Sequence, residues 1–336
     1  MIRWSVIGAG GIADRRTIPA LLQDENSTLV AVMDRTPNTA KAVGEKYGVP
    51  YFTDEAQMLA AVDCDAVYIA TPVFCHKAQL ETVLAAGRHA LVEKPIALSA
   101  ADGEELLQKF KAAGKQLTVG YMMKYHSLHQ KAKGLLQAGQ IGQVNTVRAQ
   151  FTCWYPEIEG AWRQKKALGG GGALMDLGVH CIELVEFLLD DELKEVKCLY
   201  STRTFSYEVE DGAVLVFRTK DGVLGHIDVN FNLPDAASVS KLEIYGSKGY
   251  ILCQGTLGQE EAGTLSHLYA PQDGYEAAQV RTERTPVTYL PEGGNIYLKQ
   301  IKEFTSRLER GALDYSFAER AVQVQRVVDE IYKNEK

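Results

Sequence analysis

The chain has 336 residues, of which 46% are apolar and 24% are charged, as in an ordinary globular protein with more than one domain. Its net charge of -7 argues against nucleic acid as a partner, because phosphate binding requires a basic surface. No apolar run approaches the roughly 20 residues of a membrane-spanning helix, and the N-terminus lacks the pattern of a secretory signal. We therefore expect a cytoplasmic protein that needs no membrane partner.

The cysteines are scattered, with no CxxC pair and no spacing typical of a metal site. This distribution is typical of free thiols in a reducing compartment. We expect no bound metal. The cysteines are Cys64, Cys75, Cys153, Cys181, Cys198 and Cys253.

Over residues 1–122, short apolar runs alternate with segments that have the spacing of amphipathic helices. Runs such as "RWSVIGAG", "TLVAVMD" and "AVYIATP" are typical of parallel strands covered on both faces. Helical spacing follows them in "IADRRTIPALLQD", "NTAKAVGEKYG" and "HKAQLETVLAAG". The alternation predicts an α/β fold whose N-terminal domain is a doubly wound parallel sheet of the Rossmann type.

A glycine-rich turn, "VIGAGGIA", joins the first predicted strand to the first predicted helix. Gly8 permits a tight turn, Gly10 lets the backbone approach a pyrophosphate, and Ala13 allows the helix to pack closely on the strand. Gly11 and Ile12 complete the turn, where the helix N-terminus offers its N–H groups to phosphate. In this context the motif predicts dinucleotide binding.

Asp34 ends the second predicted strand, where such folds bind the ribose hydroxyls of the adenosine. A carboxylate at this point repels a 2′-phosphate and favours NAD. Arg35 would hold the 2′-phosphate of NADP if its side chain turned inward. We expect NAD as the cofactor, with NADP as the alternative. For Asp34 itself, the structural alternative is a solvated cap at the strand end.

From residue 123 the pattern changes, and we expect residues 123–336 to form a second, α+β domain for substrate binding and oligomerisation. Segments such as "GAVLVFRT" and "VLGHIDVNFN" predict a large, mainly antiparallel sheet with one open face. Apolar side chains on that face favour a homodimer or homotetramer formed through it. Two amphipathic segments near the C-terminus predict helices that can pack back on the first domain.

Three segments together resemble the Gfo/Idh/MocA family, which includes glucose–fructose oxidoreductase and inositol dehydrogenase. They are "GAGGIA", "IATPVFCHKAQLETVLAAGRHALVEKP" and "GAWRQKKALGGGGALMDLGVHCIELV", and they span about half the chain. The second and third segments are much more specific than the glycine turn. The resemblance implies a Rossmann domain, a following domain with an open sheet, and nicotinamide-dependent oxidation or reduction of sugars, cyclitols and related polyols.

By this resemblance, Thr71, Pro72 and His76 lie beside the cofactor at the carboxyl end of a sheet strand. For His76, a position beside a helix N-cap is an equally simple interpretation. One departure concerns "GYMMKYHS", because many relatives carry arginine or asparagine near Lys124. That loop faces substrate in the family, and Tyr125 is therefore a candidate substrate contact.

Lys94, in "EKP", matches the active-site lysine of the family. The resemblance also implies that the Lys94–Pro95 bond is cis. Lys94 is expected to contact both cofactor and substrate, and Glu93 to orient it beside the cofactor. An exposed lysine at a strand end is the structural alternative.

Asp176 and His180 match the acid and the histidine of the family, and their spacing places them on one face of a helix. Gly169 to Gly172 precede this helix, so we expect its N-terminus to be open to a ligand. We assign proton transfer to His180 and polarisation of the reacting oxygen to Lys94, with the reverse assignment left open.

Other residues of the same segment are candidates for different roles. Arg163, in "GAWRQ", is a candidate substrate contact, because arginine binds hydroxyl and phosphate oxygens, or else it anchors a packed loop. A metal site formed by Asp176, His180 and Glu183 is disfavoured, because no second ligand cluster accompanies them.

We expect an NAD(P)-dependent oxidoreductase that transfers a hydride between nicotinamide and a secondary alcohol or ketone of a sugar, cyclitol or related polyol. One alternative is an enzyme that cleaves glycosides through transient oxidation by bound NAD. Another is a nicotinamide-binding sensor without turnover, which would need neither Lys94 nor His180.

Overall fold

The computed structural model describes residues 1–272, 274–275, 277 and 284–334. The chain forms two compact units. The first comprises Met1–Met122, Lys165–Gly170 and Asn295–Lys333, and the second comprises chiefly Met123–Gln164 and Gly171–Gly294. None of the helices in the described part of the chain combines the length and the apolar character that crossing a membrane requires.

The described residues of the first unit form a parallel sheet of six strands in the order β3-β2-β1-β4-β5-β6. This order confirms the predicted Rossmann sheet, and its reversal between β1 and β4 opens a crevice at the carboxyl ends of the strands. The strands are β1 (Ile2–Ile7), β2 (Ser27–Met33), β3 (Tyr51–Phe52), β4 (Ala66–Ile69), β5 (His89–Val92) and β6 (Leu117–Val119).

Helices cover this sheet, and the local sequence fixes where several of them begin. Ser99 accepts a hydrogen bond from the Asp102 N–H at one helix start, and Asp54 accepts one from the Gln57 N–H at another. The helices are Ile18–Leu21, Pro37–Tyr47, Glu55–Ala61, Val73–Ala85, Ala100–Ala112, Lys166–Gly169, Ile296–Glu309 and Ser316–Lys333, with a π-helical turn at Ala13–Thr17.

The C-terminal helix Ile296–Glu309 contributes to the core of the first unit. Its Phe304 ring lies 4.9 Å from the ring of Trp4 in β1, and Ile301 belongs to the same buried cluster. Burying these large side chains supplies much of the hydrophobic stabilisation that holds the helix on the sheet.

The described residues of the second unit form a sheet of eight strands in the order β14-β13-β12-β11-β7-β10-β9-β8. Neighbouring strands are antiparallel except β7 and β10, which confirms the predicted mainly antiparallel sheet. The strands are β7 (Val144–Thr152), β8 (Leu193–Ser201), β9 (Gly212–Thr219), β10 (Leu224–Asn230), β11 (Lys241–Gly246), β12 (Gly249–Gln254), β13 (Thr264–Tyr269) and β14 (Val287–Tyr289).

One face of this second sheet is covered and the other is open. In β9, Leu215 and Phe217 are buried, whereas Val214 and Val216 are 49% and 54% exposed. The helix Val179–Leu189 packs against β7 on the covered side. The helix Ser127–Gln137 packs against the helix Val179–Leu189. A π-helical turn at Leu174–Gly178 directly precedes Val179–Leu189.

Candidate cofactor and catalytic residues

The glycine turn after β1 is tightly enclosed by the neighbouring strands. Gly8 has a φ of +80°, and a Cβ atom there would lie 2.8 Å from Thr71 Cγ2. The Gly8 N–H donates to the Met33 carbonyl at 2.9 Å. At Gly11, with a φ of +56°, a Cβ would meet nothing within 4 Å, so the turn opens outward there. Ile12 follows, half-buried, at the start of the π-helical turn.

A cavity of about 760 Å³ lies at this turn, and its lining combines the predicted glycine, ribose and strand-end residues. Its position at the carboxyl ends of parallel strands is where open α/β sheets bind ligands. Its size and glycine edge therefore fit part of a dinucleotide. Among the lining residues are Gly8, Gly10, Gly11, Asp34, Arg35, Thr71 and Pro72.

Asp34 is held at the wall of this cavity by two backbone contacts. Its Oδ2 accepts a hydrogen bond from the Gly10 N–H at 3.2 Å, and its Oδ1 accepts one from the Thr36 N–H at 2.9 Å. These contacts link the carboxylate to the glycine turn and fix its orientation. Asp54 and Glu55 line the same cavity, so it has more acidic than basic side chains around Arg35.

His76 is buried between two backbone carbonyl groups. Its ring is 1% exposed, with Nδ1 2.8 Å from the Pro95 carbonyl oxygen and Nε2 2.9 Å from that of Thr71. Burial lowers the pKa of His76. The imidazole thus connects the backbone after Lys94 to the strand end at Thr71.

Glu93 and Lys94 directly follow β5, and the Lys94–Pro95 bond is cis. Both side chains are half-buried. Glu93 Oε1 accepts a hydrogen bond from the Tyr68 hydroxyl at 2.6 Å, and Tyr68 in turn accepts one from the Thr17 hydroxyl at 2.9 Å. Tyr68 was not among the residues predicted from the sequence, where it resembles any apolar residue of a buried strand.

The second unit brings Arg163 and Asp176 together. Arg163 Nε donates to Asp176 Oδ1 at 3.3 Å, and its guanidinium lies 4.3 Å from the centre of the Trp162 ring. Tyr155 interacts with both charged groups, although burial is the main cause that raises its pKa. Sequence reasoning missed Tyr155, since no motif marks it.

His180 lies one helical turn after Asp176, at the passage from the π-helical turn to the helix Val179–Leu189. Its side chain is buried, and the Phe151 ring meets it edge-on at a centroid distance of 6.4 Å. Asp176 and His180 thus belong to the second unit, whereas Lys94 belongs to the first.

The N-terminus of this helical segment is not open, contrary to the expectation from its glycines. Glu210 Oε1 accepts hydrogen bonds from the N–H groups of Gly172 and Leu174, at 2.9 and 3.0 Å. A Cβ on Gly172 would lie 2.0 Å from the Glu210 carbonyl oxygen. The glycine therefore permits the close approach of the Glu210 backbone, and the Glu210 carboxylate occupies the place that we expected a ligand to take.

Lys124, in the segment that departs from the family pattern, is buried in an ion pair. Its Nζ lies 2.9 Å from Glu183 Oε1, and the two side chains are 3% and 1% exposed. Glu183 thus pairs with a lysine, which argues further against the metal site formed by Asp176, His180 and Glu183. Among the described residues, no group of three or more His, Cys, Asp or Glu side chains has the arrangement of a metal site.

Tyr125, the remaining candidate substrate contact, lies next to Lys124 in the sequence, and the cysteines are spread over both units. Tyr125 is half-buried, with its ring centre 5.9 Å from Lys124 Nζ. Each of the six cysteines lies among the described residues and is a free thiol, which confirms that expectation.

Comparison with known proteins identifies the family. Residues 2–121 match the model described as "Oxidoreductase family, NAD-binding Rossmann fold", and residues 129–252 match the "GFO/IDH/MocA C-terminal domain". The chain belongs to the Gfo/Idh/MocA family of oxidoreductases. It is an NAD(P)-binding oxidoreductase whose homologues act on sugars.

Curated relatives include sugar reductases and dehydrogenases. The dTDP-3,4-didehydro-2,6-dideoxy-alpha-D-glucose 3-reductase of Streptomyces violaceoruber is 33% identical over 285 residues, covering 84% of this chain and 78% of the relative. The D-xylose 1-dehydrogenase (NADP(+)) 2 of Haloferax volcanii is 26% identical, covering 98% of this chain and 96% of the relative.

A solved structure shows the same fold. The aldose-aldose oxidoreductase from Caulobacter crescentus, complexed with glycerol, aligns with a TM-score of 0.87 and 24% identity over 99% of this chain and 96% of that one. The family models and the Streptomyces violaceoruber relative confirm the resemblance of the three sequence segments to this family.

Proposed function

We propose that the protein transfers a hydride between a nicotinamide cofactor and a secondary alcohol or ketone of a sugar or related polyol. The observation that carries this proposal is the position of Lys94, directly after a parallel strand of the sheet whose carboxyl edge also carries Gly8 and Thr71. The names of the Streptomyces and Haloferax relatives, a ketosugar reductase and a sugar dehydrogenase, support the same substrate class.

Each proposed residue has a role that the chemistry requires. The nicotinamide, when bound, supplies the hydride acceptor or donor. Lys94 donates a hydrogen bond to the reacting oxygen and stabilises the charge that develops on it. His180 takes or returns the hydroxyl proton, and Asp176 orients a substrate hydroxyl or the imidazole.

We propose NAD as the preferred cofactor over NADP. The cavity wall carries Asp34, Asp54 and Glu55, and a 2′-phosphate near these three carboxylates would be repelled. Arg35 is the opposing cation of the lining. Steady-state kinetics with both cofactors tests this preference, and a higher kcat/KM with NADP would contradict it.

A substrate screen tests the proposed reaction. Free sugars, cyclitols, nucleotide-linked ketosugars and glycosides are incubated with NAD, NADP or their reduced forms, and the absorbance of the reduced cofactor is followed. Net change in that absorbance supports the proposal. Release of an aglycone without net change supports glycoside cleavage, and tight cofactor binding without turnover on any compound supports a sensor.

We also propose that the open face of the second sheet forms a homodimer or homotetramer. On that face Val214 pairs with Leu199, and Val216 lies two residues further along β9. All three side chains are about half exposed or more, with Leu199 at 84%. An apolar cluster of this kind normally binds a partner. Light scattering that shows a monomer at micromolar concentration would contradict the proposal.

A further inference from the structure

A chain of hydrogen bonds runs through the buried interior of the first unit. The Thr17 hydroxyl donates to Tyr68 Oη at 2.9 Å, and the Tyr68 hydroxyl donates to Glu93 Oε1 at 2.6 Å. Thr17 and Tyr68 are both fully buried. A hydrogen bond to a carboxylate in such surroundings is stronger than one in water.

The two ends of this chain lie on the two segments that the proposed function uses. Thr17 is the last residue of the π-helical turn that follows the glycine turn. Glu93 directly precedes Lys94 after β5. Tyr68, in β4, therefore connects the segment expected to hold the cofactor phosphates to the segment expected to carry the reacting lysine. Single π-helical turns are frequent at functional sites.

The order of donors and acceptors in the chain is fixed. Burial, and then the charge of Glu93, raise the pKa of Tyr68 well above its ordinary value. The phenol therefore keeps its proton, and its hydroxyl donates a hydrogen bond to the carboxylate. Its oxygen remains an acceptor for Thr17, so each group has one defined orientation.

Two further groups lie near the Glu93 carboxylate. A Cβ on Gly120 would lie 3.2 to 3.3 Å from its carboxylate atoms, so the carboxylate packs directly against this glycine. Tyr297, on a C-terminal helix, is close enough for Glu93 to help raise its pKa, after the larger effect of burial. The side chain of Glu93 is thus oriented by the interior of the unit.

We propose that Tyr68 and Thr17 are positioning residues for Lys94, acting through Glu93. This inference rests on the proposed function, because positioning has a consequence only if Lys94 takes part in turnover. Tyr68 holds the Glu93 carboxylate, a fixed Glu93 side chain restricts the backbone from which Lys94 extends, and Thr17 connects this arrangement to the turn that follows the glycines. Catalytic geometry of this kind depends on displacements well under an ångström.

Tyr68→Phe removes the hydroxyl and keeps the ring. Because one charge-assisted hydrogen bond is lost, we expect kcat to fall about 10- to 100-fold. KM for the sugar should change little, and the pH profile of kcat should shift, because Glu93 loses its donor. In the Glu93→Gln background, Tyr68→Phe should have almost no further effect on kcat, since Tyr68 acts through the carboxylate.

Tyr47→Phe is the matched control. Tyr47 donates to Asp14 Oδ1 at 2.9 Å, so this variant also removes a hydrogen bond between a tyrosine and a carboxylate of the π-helical turn, one that does not involve Glu93. We expect its kcat and pH profile to equal those of the wild type. Thr17→Val, which keeps the volume of the side chain, provides a second variant if Tyr68→Phe fails to fold, with a smaller fall in kcat expected.

The outcomes separate this proposal from the proposed function. An active wild type, together with a folded Tyr68→Phe or Thr17→Val variant whose kcat and pH profile match those of Tyr47→Phe, would overturn the positioning role alone. A wild type that binds NAD in a fluorescence titration but turns over no substrate would overturn the proposed function and the positioning role with it. Loss of kcat at nearly constant KM in Tyr68→Phe supports both.

Discussion

The ammonium nitrogen of Lys124 lies 2.9 Å from Glu183 Oε1 in a fully buried ion pair of the second unit. The pair stands where the sequence suggested a substrate-facing side chain. Two charges removed from water depend on each other, because either one alone would be an uncompensated buried charge. The departure from the family pattern at this position is therefore matched by an acidic partner on the helix Val179–Leu189.

Removing one partner of this pair should destabilise the second unit. We expect Lys124→Met to lower its free energy of unfolding by about 3–5 kcal/mol, whereas the double variant with Glu183→Leu should recover much of the loss. Urea unfolding of both variants measures this. As a control, Lys109→Met removes ion pairs with Glu105 and Glu81, in which every side chain is at least 40% exposed, and it should change little. Equal stability of the single and double Lys124 variants would contradict the account.

The carboxylate of Glu210 should be needed for the helix that carries Asp176 and His180. Glu210→Ala leaves the N–H groups of Gly172 and Leu174 without this acceptor, at a cost of about 1–3 kcal/mol. Glu210→Gln keeps an oxygen acceptor and should cost less. Thermal unfolding ranks the variants, and Glu210→Ala as stable as the wild type would show that the cap contributes nothing.

Buried histidines should make the protein less stable in mild acid. Burial lowers the pKa of His129 to about 3, so between pH 6.5 and 3 the unfolded chain binds a proton that the folded chain does not. Stability from this group is complete above pH 6.5 and decreases as the pH falls. At pH 5 the loss is about 2 kcal/mol. His76 and His89, whose pKa values burial also lowers, add to the same trend.

The contribution of His129 is measured by comparing unfolding at pH 8 and pH 5 for the wild type and His129→Gln. Glutamine does not titrate, so the difference between the two pH values should shrink in the variant whatever its stability at pH 8. Buried carboxylates such as Asp211, whose pKa is lowered by backbone hydrogen bonds that outweigh burial, stay ionised over this range. An unchanged pH difference in His129→Gln would refute this explanation.

Asp34 should determine the choice of cofactor. Asp34→Ser removes the carboxylate that would repel a 2′-phosphate. Arg35, in the same cavity lining, can then attract that phosphate with less opposition. We expect the ratio of kcat/KM for NADP to that for NAD to rise at least about tenfold, which corresponds to about 1.4 kcal/mol of discrimination. Steady-state kinetics with both cofactors provides the ratio, and a ratio equal to that of the wild type would rule out this role.

The first sheet could be predicted because its strands are apolar on both faces and each ends in turn-forming residues. β1 and β4 are of this kind, and most of their residues are buried, as is typical of parallel strands covered on both faces. β3 was missed because it has only two residues, Tyr51 and Phe52, which is too short for an apolar pattern to indicate its pairing with β2. β13 and β14 were also missed, and β14 has only three residues, none of them buried.

Residues of the candidate site could be predicted where a single sequence motif contains them. They could not be predicted where residues far apart in the sequence come into contact. Gly8 and Asp34 stand at fixed distances from strand ends, so the motif indicates them. Tyr68 and Glu93 are 25 residues apart, and Glu210 is 38 residues from Gly172. Such contacts depend on the three-dimensional arrangement of the strands, which neither periodicity nor spacing reveals.

The most direct test of the central claim compares wild type and Lys94→Ala in the reduced-cofactor assay, on whichever sugar or polyol the wild type uses. The account predicts substrate-dependent change in cofactor absorbance with the wild type. It predicts a loss of kcat of at least about 100-fold in Lys94→Ala, because a group that stabilises charge on the reacting oxygen is missing. Cofactor affinity, measured by fluorescence, should be nearly retained. A Lys94→Ala enzyme with the kcat of the wild type would contradict the account.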